Sequence, residues 1–477
     1  MRGEMKQPGR FSMWSAVILL ALLPTGLLAA TGWSNPTALT TITLFNLPTN
    51  NASIAVGPNG DSVAVWINES NNVVQYARRI NGVWSAAKAL YTPSAAKGET
   101  TSSAHVVLKR DGTALAVFAS TTPGPVQYCA YGGRVFRCLG PSKSFAKIAT
   151  LAPGAASWVK ANLSAQGILV DDTQISVDGS DNVVAIWRYV GSAGQPTTLQ
   201  STQMSSSVWS VPQTVYSTAN ALTLPILSTG QAGQSLVAWQ EKLPVGSNST
   251  FVIKSLFRDN LGNWNAQPEN VANLGSQTWT LNAGVDGHGQ ATLVWDNNYS
   301  IQMSRRLGGE ATANWTSIET LVSAVGTQYG YAGPFAAYVP DLAVNAAGDI
   351  LITWLESDAQ NGTWTIESKL IGANATLQSN WPVDTQIGFS YPSAALSEDG
   401  SAGAIAWNDN GMGDANVVTL TASNGIWLVG QPVELGSSLW DGSVVIGAGT
   451  NSTISAIWLT NTATEFKYKY VASSYQP

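Results

Sequence analysis

Histidine and cysteine are nearly absent from this chain, with two of each among 477 residues. So few leave no set of zinc ligands and no iron site, and they argue against nucleophilic catalysis by Cys or His. Charge is scarce as well: Asp, Glu, Lys and Arg make up 11% of the chain, against about 25% in an average soluble domain. The 23 basic residues are outnumbered by 29 acidic ones and form no basic cluster in the sequence, so the electrostatic footprint of a nucleic-acid partner is missing. Helical periodicity is missing too. What is plentiful is glycine, with 45 residues, and tryptophan, with 19, a composition that points to an all-β protein.

Long apolar runs occur once. Arg2, Lys6 and Arg10 precede an apolar stretch from Phe11 to Leu23, followed by Pro24 and the small residues Ala29 and Ala30. Residues 1–32 are therefore expected to be an export signal. An uncleaved signal that anchors the chain is the alternative, since Leu28 is large for its place in the cleavage box. No later stretch is long enough to span a membrane, which implies a secreted or periplasmic body. Such a compartment permits a disulfide between Cys129 and Cys138, nine positions apart around Gly132-Gly133, as a cross-hairpin bond.

A search for internal repeats finds one pattern eight times. An apolar strand such as Ile54-Ala55-Val56 is followed by a turn containing Gly, and then by a strand ending small-apolar-Trp, first Val63-Ala64-Val65-Trp66. Equivalent ends fall at Phe118, Trp187, Trp239, Trp295, Trp354, Trp407 and Trp458. Their spacings of 52, 69, 52, 56, 59, 53 and 51 place the expected insertion near 150–172. Each copy continues into a third strand and then a fourth, which carries Trp84, Trp209, Trp264, Trp315, Trp381 or Trp427 in six of them. Four short strands per unit of about 50 residues is the arithmetic of a propeller blade. The expectation is one β-propeller domain over 33–477, with eight blades preferred and seven as the alternative.

The eighth copy lacks a Trp-bearing fourth strand. Gly32-Trp33-Ser34, just after the signal, parallels Gly82-Val83-Trp84-Ser85, so the first strand is expected to complete the last blade and close the ring. Within Val63-Ala64-Val65-Trp66, period-2 alternation puts the ring on one face and the aliphatics on the other. Trp33, Trp66, Trp187, Trp239, Trp295, Trp354, Trp407 and Trp458 are thereby read as structural wedges between blades.

Strand, Gly turn, small-apolar-Trp and a later Gly-x-Trp, repeated after an export signal, resemble secreted bacterial β-propellers of the sialidase-like and lectin-like kind. The resemblance covers about residues 32–472 and implies a glycan-related role. The Asp box of sialidase repeats is incomplete here. Ser176-Val177-Asp178-Gly179-Ser180 and Ser397-Glu398-Asp399-Gly400-Ser401 come nearest, but neither has the Thr-Trp that ends it.

Functional residues are sought in the loops that follow each repeated Trp. Five of the eight carry a carboxylate, namely Glu69, Glu241, Asp296, Glu356 and Asp409. Converging on one axis, they would form an acidic, amide-rich rim able to bind sugar hydroxyls or a hard cation. The competing reading is that polar bends simply face water. No cofactor is expected and no metal site is assigned, calcium being the one ion such loops would suit. His105 and His288 are read as core or surface residues. The leading expectation is an exported, monomeric, non-catalytic module that binds a glycan or protein ligand. The alternatives are a glycoside hydrolase or lyase using Glu241 with Glu356 or Asp409, and a structural envelope protein.

Overall fold

The computed structural model describes residues 32–43, 52–131, 134–245, 248–308, 314–322, 338–358, 363–373, 381–387, 390–409, 413–423, 426–438, 444–461 and 467–475. The export signal expected over 1–32 falls almost wholly outside them. Eight antiparallel sheets are built from strands in sequence order, and a separate two-stranded hairpin lies outside them. The innermost strands run Ser53–Val56, Thr100–Leu108, Leu169–Val177, Ala221–Thr229, Leu281–Val285, Tyr338–Val344, Ser393–Leu396 and Val445–Ala448. Each packs against the next, and the eighth returns to the first. The ring therefore closes with eight blades, and the seven-bladed alternative falls away.

Closure uses both ends of the chain. Thr37–Thr43 pairs antiparallel with Lys467–Tyr475 as the outer strand of blade 8, with Ala38 opposite Val471 and Thr40 opposite Tyr470. Trp33 bridges to Tyr475 beyond the strand, and Ser34 N–H donates to Ser474 O at 2.8 Å. Trp33 and Leu39 are both buried.

Burial within the blades follows the alternation in the sequence. The second strand of blade 1, Ser62–Asn68, is buried at every residue because neighbouring blades cover both of its faces. Ala64 and Trp66 pack backward onto Ile457, Leu459 and Tyr470 of blade 8, whereas Val63 and Val65 pack forward onto Val106 and Phe118 of blade 2. The same direction recurs for Trp239, which lies against Val184 and Ile186 of blade 3, and for Trp295, which lies against Leu236 and Ala238 of blade 4. All seven second-strand Trp are fully buried.

A buried indole N–H needs an acceptor, and the residue across the sheet on the third strand supplies it in three blades. Trp66 donates to Gln75 at 3.0 Å, Trp187 to Gln200 at 2.9 Å and Trp295 to Gln302 at 3.1 Å. Trp239 faces Lys254 instead, and its N–H has no partner among the described residues.

The long second interval has a different origin from the one expected. Its extra residues form the hairpin Val126–Tyr131 and Arg134–Leu139 between the second and third strands of blade 2, whereas 150–172 holds the ordinary outer strand Val159–Asn162 and the run into blade 3. Cys129 and Cys138 join across this hairpin in a disulfide, with Cα atoms 5.9 Å apart. The intervals between Trp positions record only how much chain is added, so they could not say on which side of the third strand it lies.

Trp239→Ala removes a wholly buried ring and no hydrogen bond, and should cost roughly 3–5 kcal/mol of stability. Equilibrium denaturation of the variant beside its parent measures the loss.

Candidate functional site

Four innermost strands are interrupted at the same place. Register shifts fall between Ser102 and His105, Asp171 and Gln174, Thr223 and Ile226, and Tyr338 and Asp341. Each shift contains one residue in the left-handed region: Ser103 at φ 53°, Asp172 at 48°, Leu224 at 53° and Val339 at 45°. A bulge of this kind bends the strand and re-aims its side chains, and the positive φ at Leu224 and Val339 is costly for residues with bulky side chains. Three of the four bulges line a single cavity of about 500 Å³ at the end of the axis where second strands meet third strands.

The cavity wall is polar. Blade 1 contributes Glu69 and Asn72, blade 2 contributes Thr101, Ser102, Ser103 and His105, and blade 3 contributes Asp172 and Gln174. Just past the bulges, equivalent positions in neighbouring blades link to one another. Gln174 meets the His105 ring across 3.4 Å, Asn282 donates to Pro340 O at 2.7 Å, and Ala394 N–H donates to Asp341 at 2.8 Å. Ser53 accepts from Val106 N–H at 3.2 Å. On the opposite face, Glu398 of blade 7 lies near Gln231 of blade 4 and Ala346 of blade 6, and burial raises its carboxyl.

Burial sets the protonation states along the wall. It draws the His105 imidazole down to about 4, so the ring is neutral at physiological pH. Burial and the neighbouring Asp171 push the Asp172 carboxyl up, against the pull of Arg188. That guanidinium is shared between both carboxylates: it grips Asp171 at 2.7 and 2.6 Å, its Nε lies 3.2 Å from Asp172 Oδ2, and it donates to Leu222 O of blade 4 at 2.8 Å. Burial and the charge of Glu69 raise the Tyr470 phenol.

Of the five carboxylates expected at one rim, only Glu69 lines this cavity. Glu241 is enclosed, and its two oxygens accept from Tyr216, Thr218, Asn220 and Lys254 at 2.6–2.7 Å. Burial alone would raise its pKa, but these four partners hold the carboxylate at about 2. All four lone-pair sites are occupied, so Glu241 is an internal ion-pair partner. Asp296 is buried and accepts from Thr278 Oγ1 and from the N–H groups of Trp279 and Thr280; burial raises its carboxyl despite those bonds. Glu356 accepts from the Trp354 indole at 3.3 Å, and Asp409 stands opposite Asp414 across a strand pair. The described residues contain no group of three or more His, Cys, Asp or Glu placed to hold a metal.

The face that carries the mouth also bears exposed aromatic rings. Five aromatic side chains are largely exposed among the described residues: Tyr128, Phe136, Trp279, Tyr299 and Tyr391. All five lie in connections on the mouth side, either between second and third strands or between one blade and the next. Trp279 is the largest of these rings and is 74% exposed, and the turn that presents it is the one capped by Asp296.

Sequence reasoning passed over His105, Asp172, Gln174 and Trp279. A signal existed for His105 and Gln174: counted back from the turn of each repeat, His105, Gln174, Asn282 and Asp341 stand at one repeat position, where a fully buried strand would carry aliphatics. Trp279 belonged to neither repeated Trp series, and that irregularity was its only mark.

No known protein family matches the chain, and no curated protein matches it. Among solved structures it is similar to an ulvan lyase of polysaccharide lyase family PL25 bound to -[GlcA(1-4)Rha3S]-, with TM-score 0.48, 10% identity, and 86% of this chain and 97% of that one covered. It is also similar to an α-L-arabinanase from Penicillium chrysogenum complexed with arabinobiose, with TM-score 0.38, 13% identity, and 84% and 99% covered. A third is an α-L-arabinofuranosidase from Fusarium graminearum, with TM-score 0.38, 11% identity, and 70% and 98% covered. None of these likenesses assigns a residue role here.

Blade 6 departs from the Trp–Gln pairing in a testable way. The residue across from Trp354 is Glu367, whose carboxyl is pushed up to about 7 by burial and by the charge of Glu356. In the folded state it keeps its proton until about pH 7, while unfolded it ionises near 4.5. Between those values the unfolded state binds fewer protons, so stability falls as pH rises and stays lower above 7. Glu367→Gln removes the titration and restores the acceptor used in blades 1, 3 and 5. Thermal melts should show little gain at pH 4 and a gain on the order of 1 kcal/mol at pH 8, allowing for partial exposure.

Proposed function

We propose that this chain is an exported, non-catalytic glycan-binding module that takes part of a saccharide into the axial cavity and rests the remainder on the aromatic mouth. The observation that carries this reading is the meeting on one face of a polar cavity and all five largely exposed aromatic side chains. Hydroxyls, amides and carboxylates from three blades offer the mixed donors and acceptors that adjacent sugar hydroxyls require, in a concavity of ligand size. Rings such as Trp279 offer broad apolar faces with a polar edge, suited to the C–H face of a pyranose. A neutral His105 beside Gln174 supplies a hydrogen bond without supplying a charge. Bulges that hold Ser103, Asp172 and Leu224 in the left-handed region fix the wall before any ligand arrives, which reduces the ordering cost of binding.

A glycan array probed with protein beginning at Gly32 identifies the ligand class, and calorimetry then measures affinity. Gln174→Leu strands ligand polar groups in the cavity and should weaken binding by roughly 1–3 kcal/mol, and Trp279→Ala should weaken it while leaving the melting temperature unchanged. An array without hits, or turnover of any polysaccharide supplied, would overturn the reading.

A further inference from the structure

The hairpin of blade 2 is unlike the rest of the molecule. Its strands pair only with each other and with no blade, and an isolated two-stranded hairpin is marginal in water, so the Cys129–Cys138 bond is what keeps it formed. Residues opposite one another share a face. The pairs Val126 with Leu139, Tyr128 with Arg137 and Ala130 with Val135 therefore make one continuous apolar ladder interrupted by a single guanidinium. That ladder faces water: Val126 is 57% exposed, Leu139 63%, Val135 70% and Tyr128 79%. Along this stretch of chain the charge is one-sided, although Glu99, just ahead of the strand Thr100–Leu108, lies beside Lys147. Residues 112–170 contain Arg134, Arg137, Lys143, Lys147 and Lys160 and no Asp or Glu at all, in a chain whose net charge is −6.

We propose that this hairpin is a peripheral membrane anchor that sets its apolar ladder into the interface of an anionic lipid surface. Exposed aliphatic side chains on a rigid projection leave water favourably when they enter the acyl boundary. A sugar would reward Tyr128 but not Val126, Val135 and Leu139, so the aliphatics favour lipid over a saccharide as the occupant. Arg134 and Arg137 match headgroup phosphates, which attract juxtamembrane cations at the surface. The basic stretch of blade 2 would orient an otherwise acidic molecule with this edge toward the lipid.

The inference is separable from the glycan reading, because no cavity residue takes part in it and both variants below leave Tyr128 and Phe136, counted at the mouth, in place. The test is co-sedimentation of protein beginning at Gly32 with phosphatidylcholine vesicles, with and without phosphatidylglycerol, at low and high salt. Binding is expected only to vesicles containing phosphatidylglycerol, and should weaken as salt rises. The triple variant Val126→Ser, Val135→Ser, Leu139→Ser and the double variant Arg134→Glu, Arg137→Glu should each reduce it by about tenfold or more. Melting temperatures and glycan affinity should stay at the parent values, since the hairpin lies outside the blade sheets. Parent protein that ignores all vesicles, or binding that survives both variants, overturns the proposal; so does capture by an acidic protein or polysaccharide with no vesicle binding.

Discussion

A bulky ring facing backward against small residues facing forward is the contact on which this ring of sheets depends. Every second strand is covered on both faces, so no polar side can compensate for a poor fit. Trp66 against blade 8 and Val63 with Val65 against blade 2 show the rule at one blade, and repetition of that direction around the axis gives a rotation that closes. Where the ring is Phe118 in place of Trp, the direction is kept. The indole N–H then imposes a second requirement, an acceptor across the sheet, and the blades differ in how they meet it. Gln across the sheet serves in three, whereas Trp407 of blade 7 and Trp458 of blade 8 donate to the preceding blade, to Asp384 and to the Ser437 carbonyl.

Polar residues near the axis do two kinds of work. Some connect blades, as when Asp341 accepts from Ala394 N–H or Arg188 ties its own strand pair to Leu222. Others are left to face the cavity because a bulge has turned the strand beneath them. The carboxylates divide the same way. Glu241 spends its oxygens on Tyr216 and Thr218 of blade 3, on Asn220 and on Lys254, and Asp296 contributes outwardly only through the turn that lifts Trp279. Glu69 and Asp172 line the cavity, Asp172 with Arg188 at 3.2 Å.

Architecture was legible in the sequence because packing writes a period into it. The eight strand ends, the pairing of Trp33 with the last sheet and the separation of each ring from its aliphatics all follow from alternation and from the edge that an unclosed array would leave; that every ring points backward did not. The site was far less legible. A loop carboxylate looks the same in sequence whether it turns inward, as Glu241 does toward Lys254 and Tyr216, or lines a cavity, as Glu69 does. Bulges shift register by one residue and carry no composition of their own, so Ser103, Asp172 and Leu224 gave no sign of sharing a role. His105 was set aside for want of an acid or nucleophile beside it in the chain, while its neighbour in space, Gln174, lies 69 positions away.

The left-handed bulge residues set how the cavity wall can vary. A backbone conformation that is costly for Leu224 and Val339 is held more easily by glycine, asparagine or aspartate, so exchange at those places relaxes the strand without touching the blade packing behind it. The wall can thus be reshaped one blade at a time while the ring of wedges stays fixed.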